Sequence, residues 1–457
     1  MQTPIEKISS TEVVYNPIKK RSNPTYQLEP HQALEGTAFA INETQNSRNI
    51  TFRIPSNLVF NLSESILSFA MTFVAGGDDG GGNDYYNFEY ITCVPFFSRI
   101  QLRTKDGLRL VDVDNAHYAS EIMNRVTTRI TNFETNNIFE GLTGRTGTDG
   151  VGQRPDGTNM SNRYEHMYIN EATTANAATP NIGLAIYLKD LLHYSLLELN
   201  KDLYFGKEIE LVLSLNSRDY VGYKGISLAD ISDGATSLTD NIAITGLQLY
   251  LAVEKDESII NDLMSVVDSP NGLQLQIPFP TVLNSLISLS SDHSHEHKIF
   301  NDKGQRVLCV MSTGALDSSE FAASPNCVYT SLVSLAGGNV LEKYRVEINN
   351  KRIQLDDINM ITSYDAYLYN RDYIKGSHLQ LLNPYEFNWY HVEDFTGLKG
   401  ENRHKLLDDN IVCGHPIDKE FKFRFIASGS ALVRARYYHV FVTQRLLTVK
   451  KNQVTLD

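Results

Sequence analysis

The chain has 457 residues, 42% of them apolar and 21% charged, which is globular in composition and longer than one ordinary domain requires. A formal net charge of -13 excludes broad, sequence-independent nucleic-acid binding, because phosphate contacts need clustered Lys and Arg. No run of ~18 apolar residues is present to cross a bilayer, and Met1-Gln2-Thr3-Pro4-Ile5-Glu6 lacks the charged-then-apolar pattern of a secretion signal.

In chain order, residues 1–30 read as a polar arm punctuated by Pro4, Pro17, Pro24 and Pro30, with Lys19-Lys20-Arg21 as its basic cluster. Two readings stand level for it: a solvated terminus, or an extended arm that reaches a neighbouring subunit. From about residue 48 the period is two. Ile50, Phe52 and Ile54 alternate with Thr51 and Arg53, and Leu67, Phe69, Met71 and Phe73 continue the pattern, as half-buried strands require. Gly76–Asp84 breaks regular structure, and Gly141–Asn162 reads as a second long loop. Helical spacing is scarce: Asn115–Arg125 predicts one helix and Leu188–Leu199 a second, short one. Strand and loop make up the rest, which predicts sandwiches rather than an α/β fold.

Few residues suggest site chemistry. Cys93, Cys309, Cys327 and Cys413 lie far apart without a CxxC pair, which suits free, mostly buried thiols in a reducing compartment. The triplets Asn49-Ile50-Thr51 and Asn61-Leu62-Ser63 are then chance matches to a glycosylation signal. His293, His295 and His297 alternate, so on a strand all three could face one metal ion; no Glu follows at the spacing such sites use, and a polar surface loop is the favoured reading. Gly76–Asp84 lacks the Gly-Lys-Ser/Thr of a phosphate loop and the Glu of a calcium loop. No Gly-x-Ser-x-Gly elbow or His-Glu-x-x-His helix occurs. Phe387-Asn388-Trp389-Tyr390-His391 resembles a sugar-stacking patch by composition alone, and buried or interface aromatics explain it better. The sequence therefore assigns no catalytic, cofactor-binding or metal-binding residue, and no enzyme activity.

Internal repetition is more informative. Arg99-Ile100-Gln101-Leu102-Arg103-Thr104-Lys105 matches Arg345-Val346-Glu347-Ile348-Asn349-Asn350-Lys351, and each runs into a turn and a second strand. The same spacing separates Tyr118, Asn124 and Arg125 from Tyr364, Asn370 and Arg371. A third block, Lys207–Leu213, matches Lys419–Phe425 at a shorter spacing, so the first copy carries extra residues where the Gly141–Asn162 loop falls. Each copy closes on a strongly β run, Leu247–Val253 and Tyr437–Val442. Strand periodicity does not demand the shared Asn-Arg and Lys-Glu pairs. Tandem β-sandwiches joined near residues 256–272, at Ser269-Pro270-Asn271-Gly272, follow from that order.

At these blocks, and along Val346–Ile353 into Tyr369-Asn370-Arg371-Asp372, the chain resembles the double jelly-roll major capsid proteins. The look is nearest to those of virophages, polinton-like viruses and adintoviruses, within the lineage of adenoviruses and tailless phages. The resemblance spans about residues 40–450. It implies an all-β chain of two tandem jelly rolls with a few short helices and long loops: an arm at 1–30, a first jelly roll at 31–262, and a second at 263–457 with a short C-terminal tail. It further implies a homotrimer forming a pseudo-hexagonal capsomer in an icosahedral double-stranded DNA virus shell, assembled inside the host cell. Its partners would be neighbouring capsomers, penton and minor capsid proteins. The arm would contact genome or an inner membrane, without sequence-specific nucleic-acid binding and without a cofactor. A tandem sandwich that binds or cleaves carbohydrate is the alternative, with Trp389 as its candidate residue.

Overall fold

The computed structural model describes residues 26–41, 48–74, 84–88, 96–127, 167–171, 181–216, 222–225, 236–237, 241–289, 292–297, 306–316, 340–352, 356–359, 389–396, 410, 412–416, 421–428, 433–451 and 453–457. The Lys19–Arg21 cluster, the Gly141–Asn162 loop, Cys93, Cys327, Tyr364, Asn370 and Arg371 lie outside these residues.

The main strands of the first half, in chain order, are Tyr26–Gln32, Asn49–Ile54, Phe60–Val74, Phe97–Thr104, Arg109–Asp114, Asn181–Tyr187, Ile209–Leu215 and Asn241–Glu254. They pair antiparallel as first–eighth–third–sixth in one sheet and second–seventh–fourth–fifth in the other. In the second half the corresponding strands are Leu273–Leu289, Asp292–His297, Arg306–Leu316, Val340–Ile348, Lys351–Arg352, Trp389–Asp394, Phe421–Ser428 and Val433–Lys450. Their order is the same in both sheets. Eight strands wound this way are a jelly roll, and the chain is all-β with two of them in tandem.

The matched sequence blocks occupy matched strands. Arg99–Thr104 and Arg345–Ile348 lie in the fourth strands, Ile209–Leu213 and Phe421–Phe425 in the seventh, and both terminal runs in the eighth. The turns after the fourth strands differ. Lys105-Asp106-Gly107 is a three-residue loop closed by the Gly107 amide donating to the Thr104 carbonyl at 2.8 Å, with Gly107 at φ +92°. Asn349 and Asn350, at φ 51° and 63°, make a two-residue turn that sets Ile348 opposite Lys351. Thr104 pairs with Ile209, whereas Ile348 pairs with Phe421, a two-residue slip relative to the sequence match. A slip of two leaves every side chain on its own face, so Val346 and Ile348 stay buried as Ile100 and Leu102 do.

Alternation decides which face is buried. Ile50, Phe52, Ile54, Leu102, Val113, Leu211 and Leu213 are buried from one sheet, and Leu67, Phe69, Ile186, Leu249 and Leu251 from the other. Phe69 meets Phe96 edge-on at 5.8 Å between ring centroids. Each large apolar side chain so buried contributes about 1.5–3 kcal/mol. The contiguous apolar cluster does not stop at the first sandwich. It takes in Cys309, Met311, Val440 and Val442 of the second.

Two helices hold the halves together. Ala116–Thr127, at the predicted place, buries Ala116, Tyr118, Ala119, Ile122 and Met123. It packs on Phe97–Thr104 of its own sandwich and on Arg306–Leu316 and Val433–Lys450 of the other. The second, Glu257–Asp268, is a helix the sequence reading did not find. Asp256 caps it by accepting from the Ser258 amide at 2.9 Å, and buried Glu254 accepts from the Lys255 and Asp256 amides. Leu188–Leu199 is not one helix. It is a single turn, Leu188–Leu191, followed by the 3-10 turn Leu196–Glu198. Tyr194 between them takes φ 50°, and its amide donates to the Glu198 carboxylate at 2.6 Å.

A buried polar junction fixes the start of the third strand of the first sandwich. The Asn61 amide nitrogen donates to the Tyr26 hydroxyl at 3.0 Å and to Asn200 Oδ1 at 2.9 Å, while Asn61 Oδ1 accepts from the Ser63 amide and hydroxyl. Asn61 is wholly buried, so no glycan can join it in the folded chain. Asn61→Ala leaves several buried partners without a bond, and is expected to lower the unfolding free energy by about 2 kcal/mol. Urea titration checks this; an unchanged midpoint would show the network to be energetically idle.

Candidate functional site

Strand order settles what each sandwich presents to other molecules. Because neighbouring strands run antiparallel, the third-to-fourth, fifth-to-sixth and seventh-to-eighth connections emerge at the same end. In the first sandwich all three carry short strands: Asp84–Phe88, Met167–Glu171, and Gly222–Gly225 with Thr236–Ser237. These four pair antiparallel into a separate sheet. Of the Gly76–Asp84 stretch read as a break, residues 76–83 lie outside the described residues and Asp84 opens a strand.

The outer face of the second–seventh–fourth–fifth sheet is charged. Arg103 pairs with Glu210 at 2.9 Å, Arg53 with Glu210 at 3.5 Å, and both Arg99 and Arg109 with Asp112 at 2.7 and 2.6 Å. Exposed pairs of this kind contribute about 0–1 kcal/mol each. Their effect is on what the face will accept: another molecule must match alternating charge, not an apolar surface.

Sheet edges are closed by single side chains. Asn410, buried at φ 53°, donates from Nδ2 to the Gln274 carbonyl at 3.1 Å and accepts from the Gln276 amide through Oδ1. It therefore stands in for a neighbouring strand along Leu273–Leu289. Two and four residues further along the same edge, Pro278 and Pro280 have no amide hydrogen to offer. On the first sandwich, Glu35 accepts from the Thr51 amide at 2.7 Å, and the Leu34 amide donates to the Thr51 carbonyl at 2.9 Å. An open edge is a template for another chain, and these contacts remove it. Asn410→Ala is expected to cost about 1–2 kcal/mol and to introduce concentration-dependent association, read by thermal unfolding and light scattering. Unchanged scattering would show that other features guard this edge.

One constellation has the outline of catalytic chemistry. Ser312 Oγ lies 2.7 Å from His439 Nδ1, and His391 occupies the same row on the next strand, 3.4 Å from Glu393. Ser312, His391 and His439 are all completely buried, and Glu393 lies against His391 rather than against the histidine beside the serine. No substrate can reach this hydroxyl. The Ser312–His439 contact cross-links two strands of the second sandwich, with His391 opposite Ser312 on a third.

His293, His295 and His297 are on a strand, not in the polar loop that the sequence favours. Asp292–His297 is an edge strand, with the three histidines at positions opposite Phe425, Phe423 and Phe421. Trp389 begins the sixth strand of the second sandwich, opposite Gly314, and Phe387 and Asn388 lie outside the described residues. Cys309 is buried and Cys413 half-buried. Burial, reinforced by Asp394, pushes the Cys413 thiol up to about 12, so it is unreactive near neutral pH.

No protein-family model and no curated protein sequence matches this chain. Solved structures do. The capsid of PBCV-1 virus is similar over 95% of this chain and 97% of its own, with a TM-score of 0.53 at 9% identity. The Faustovirus major capsid protein aligns over 98% and 97%, with a TM-score of 0.51 at 11% identity. The mavirus major capsid protein aligns over 97% and 93%, with a TM-score of 0.50 at 8% identity. The likeness extends across both sandwiches and their order, and the fold of this chain is that of the double jelly-roll viral major capsid proteins.

Proposed function

We propose that this chain is the major capsid protein of a tailless icosahedral double-stranded DNA virus and resides in the virion shell. The observation that carries the reading is the duplication: two eight-stranded sandwiches of identical strand order, joined by one apolar core. A closed three-fold oligomer of such a chain presents six nearly equivalent sandwiches, the symmetry a six-neighbour lattice needs. In this reading the chain forms a homotrimeric, pseudo-hexagonal capsomer that contacts neighbouring capsomers, penton and minor capsid proteins. The boundary between jelly rolls falls in helix Glu257–Asp268. The arm is expected over residues 1–30, but Tyr26–Pro30 belong to the first strand of the first sandwich; in this reading the Lys19-Lys20-Arg21 cluster ahead of that strand meets genome or an inner membrane. The role is structural rather than enzymatic, and the likeness to capsid proteins together with the buried Ser312 supports that.

Sedimentation and electron microscopy of the purified chain test the proposal. A stable trimer with a hexagonal outline is expected. A strict monomer at high concentration overturns it.

A further inference from the structure

The sheet ordered first–eighth–third–sixth occurs in both sandwiches, so positions can be equated across the two halves. In the second sandwich one row across its four strands is Val282, Val440, Met311 and Val392. In the first, the row at the same place is Pro30, Tyr250, Ile66 and Tyr187. Tyr250 lies between buried Leu249 and Leu251 of one matched terminal run, as Val440 lies between buried His439 and Phe441 of the other. A slip of two in this match would keep the same face.

The two rows have opposite fates. Val440, Met311 and Val392 are buried, and with Cys309 and Val442 they belong to the apolar cluster that holds the first sandwich and helix Ala116–Thr127. Val310 and Phe441, on the opposite face of the same strands, are buried too but stand outside that cluster. The row is therefore where the second sandwich rests on the first. Its counterpart is bare: Tyr250 and Ile66 are only half-buried, and Pro30 is exposed. Among the described residues four large apolar side chains are exposed, and two of them share this face, Leu28 at 46% and Tyr187 at 38%. The next row, Gln32, Gln248, Ser68 and Ala185, is uncharged as well. Beside these rows Lys189 lies over the Tyr187 ring at 4.6 Å and 4.0 Å from Glu64, a pair whose charges cancel.

We propose that this uncharged face of the first sandwich binds the second sandwich of another copy of the chain. The contact would repeat between chains the one that joins the halves within a chain. The inference rests on the three-fold capsomer reading. In a closed ring of six near-equivalent sandwiches, each turns the same row toward its neighbour. A chain of two satisfies one row internally and leaves the other for a second chain. The bare row has the make-up of an interface centre, with tyrosine and aliphatic side chains flanked by uncharged polar ones. The other sheet of this sandwich presents alternating charge outward, which suits such a contact less well.

Sedimentation equilibrium of the full-length chain reads the consequence. Ile66→Glu and Tyr187→Glu should each raise the concentration at which half the chain is trimeric at least about tenfold, with far-UV circular dichroism unchanged. Arg109→Ala, on the charged face of the other sheet, should leave that concentration where it was. A photo-reactive phenylalanine in place of Tyr187 gives a second reading that introduces no charge. In a mixture of isotopically heavy and light chains, it should cross-link to the second sandwich of the other copy. Variant trimers as tight as the wild type overturn the inference and leave the capsid reading standing. So do cross-links that stay within one chain, or that join first sandwich to first sandwich. A wild-type chain that is strictly monomeric overturns both.

Discussion

Gly272→Ala should destabilise the protein by about 3–5 kcal/mol, a loss at the upper end for single substitutions. Gly272 links helix Glu257–Asp268 to the first strand of the second sandwich, and its amide donates to the Ser269 carbonyl at 3.1 Å. Its φ is +70°, which costs an L-residue about 1–2 kcal/mol. Space is the larger obstacle. A Cβ there would stand 2.5 Å from the Val449 carbonyl oxygen and 2.5 Å from Lys450 Cγ. The lysine can swing aside; the carbonyl cannot, because Val449 is held opposite Leu273 in the strand pair. Gly246 is the control. At φ +65° it has nothing within 4 Å of the same built atom, so Gly246→Asn carries only the conformational cost, which asparagine tolerates. Urea unfolding followed by the single tryptophan, Trp389, should show a large drop in midpoint for Gly272→Ala and Gly272→Asn, and a small one for Gly246→Asn. Equal drops would mean that backbone conformation, not the carbonyl contact, sets the cost.

The fold was legible where one face is buried and the other wet. Arg99-Ile100-Gln101-Leu102 alternates because Ile100 and Leu102 are buried while Arg99 meets Asp112 outside, and its second-copy match falls on the same strand. Helix Glu257–Asp268 was harder to see although Ile259, Ile260, Leu263, Val266 and Val267 keep helical spacing. Only Leu263 and Val267 are buried, and the Ser-Pro-Asn-Gly run after them reads as a linker. Leu188–Leu199 misled in the opposite sense, since its leucines follow the sandwich end rather than one helical face. The edge closure by Asn410 could not be read at all. Its partners, Gln274 and Gln276, lie more than a hundred residues away, and a side-chain amide bonding a remote backbone leaves no periodic trace. The sheet holding Asp84–Phe88 draws its strands from three separate connections, so no local pattern announced their pairing. The histidine triplet kept its strand alternation, but nothing local marked it as an edge strand.

Acid should loosen the fold through His117, and the sign follows from its burial. His117 lies on helix Ala116–Thr127, completely buried, with its ring 4.1 Å from that of Tyr118. Desolvation lowers its pKa from 6.5 to about 3, so the folded protein holds it neutral well below the pH at which the unfolded chain charges it. Above pH 6.5 neither state binds the proton and the residue adds no pH dependence. Between pH 6.5 and about 3 the unfolded state binds it and the folded state does not, so stability falls as pH falls. Below about 3 both are charged and the loss is complete, on the order of 5 kcal/mol. Asp190 works in the opposite direction, because burial raises its pKa and protonation relieves that penalty as pH falls. Comparing the wild type with His117→Gln, rather than reading the wild type alone, isolates the histidine. The difference in unfolding free energy between the two should change steadily from pH 7 to pH 4, with the variant losing less. Parallel curves across that window would show that His117 does not stay neutral inside the helix interface.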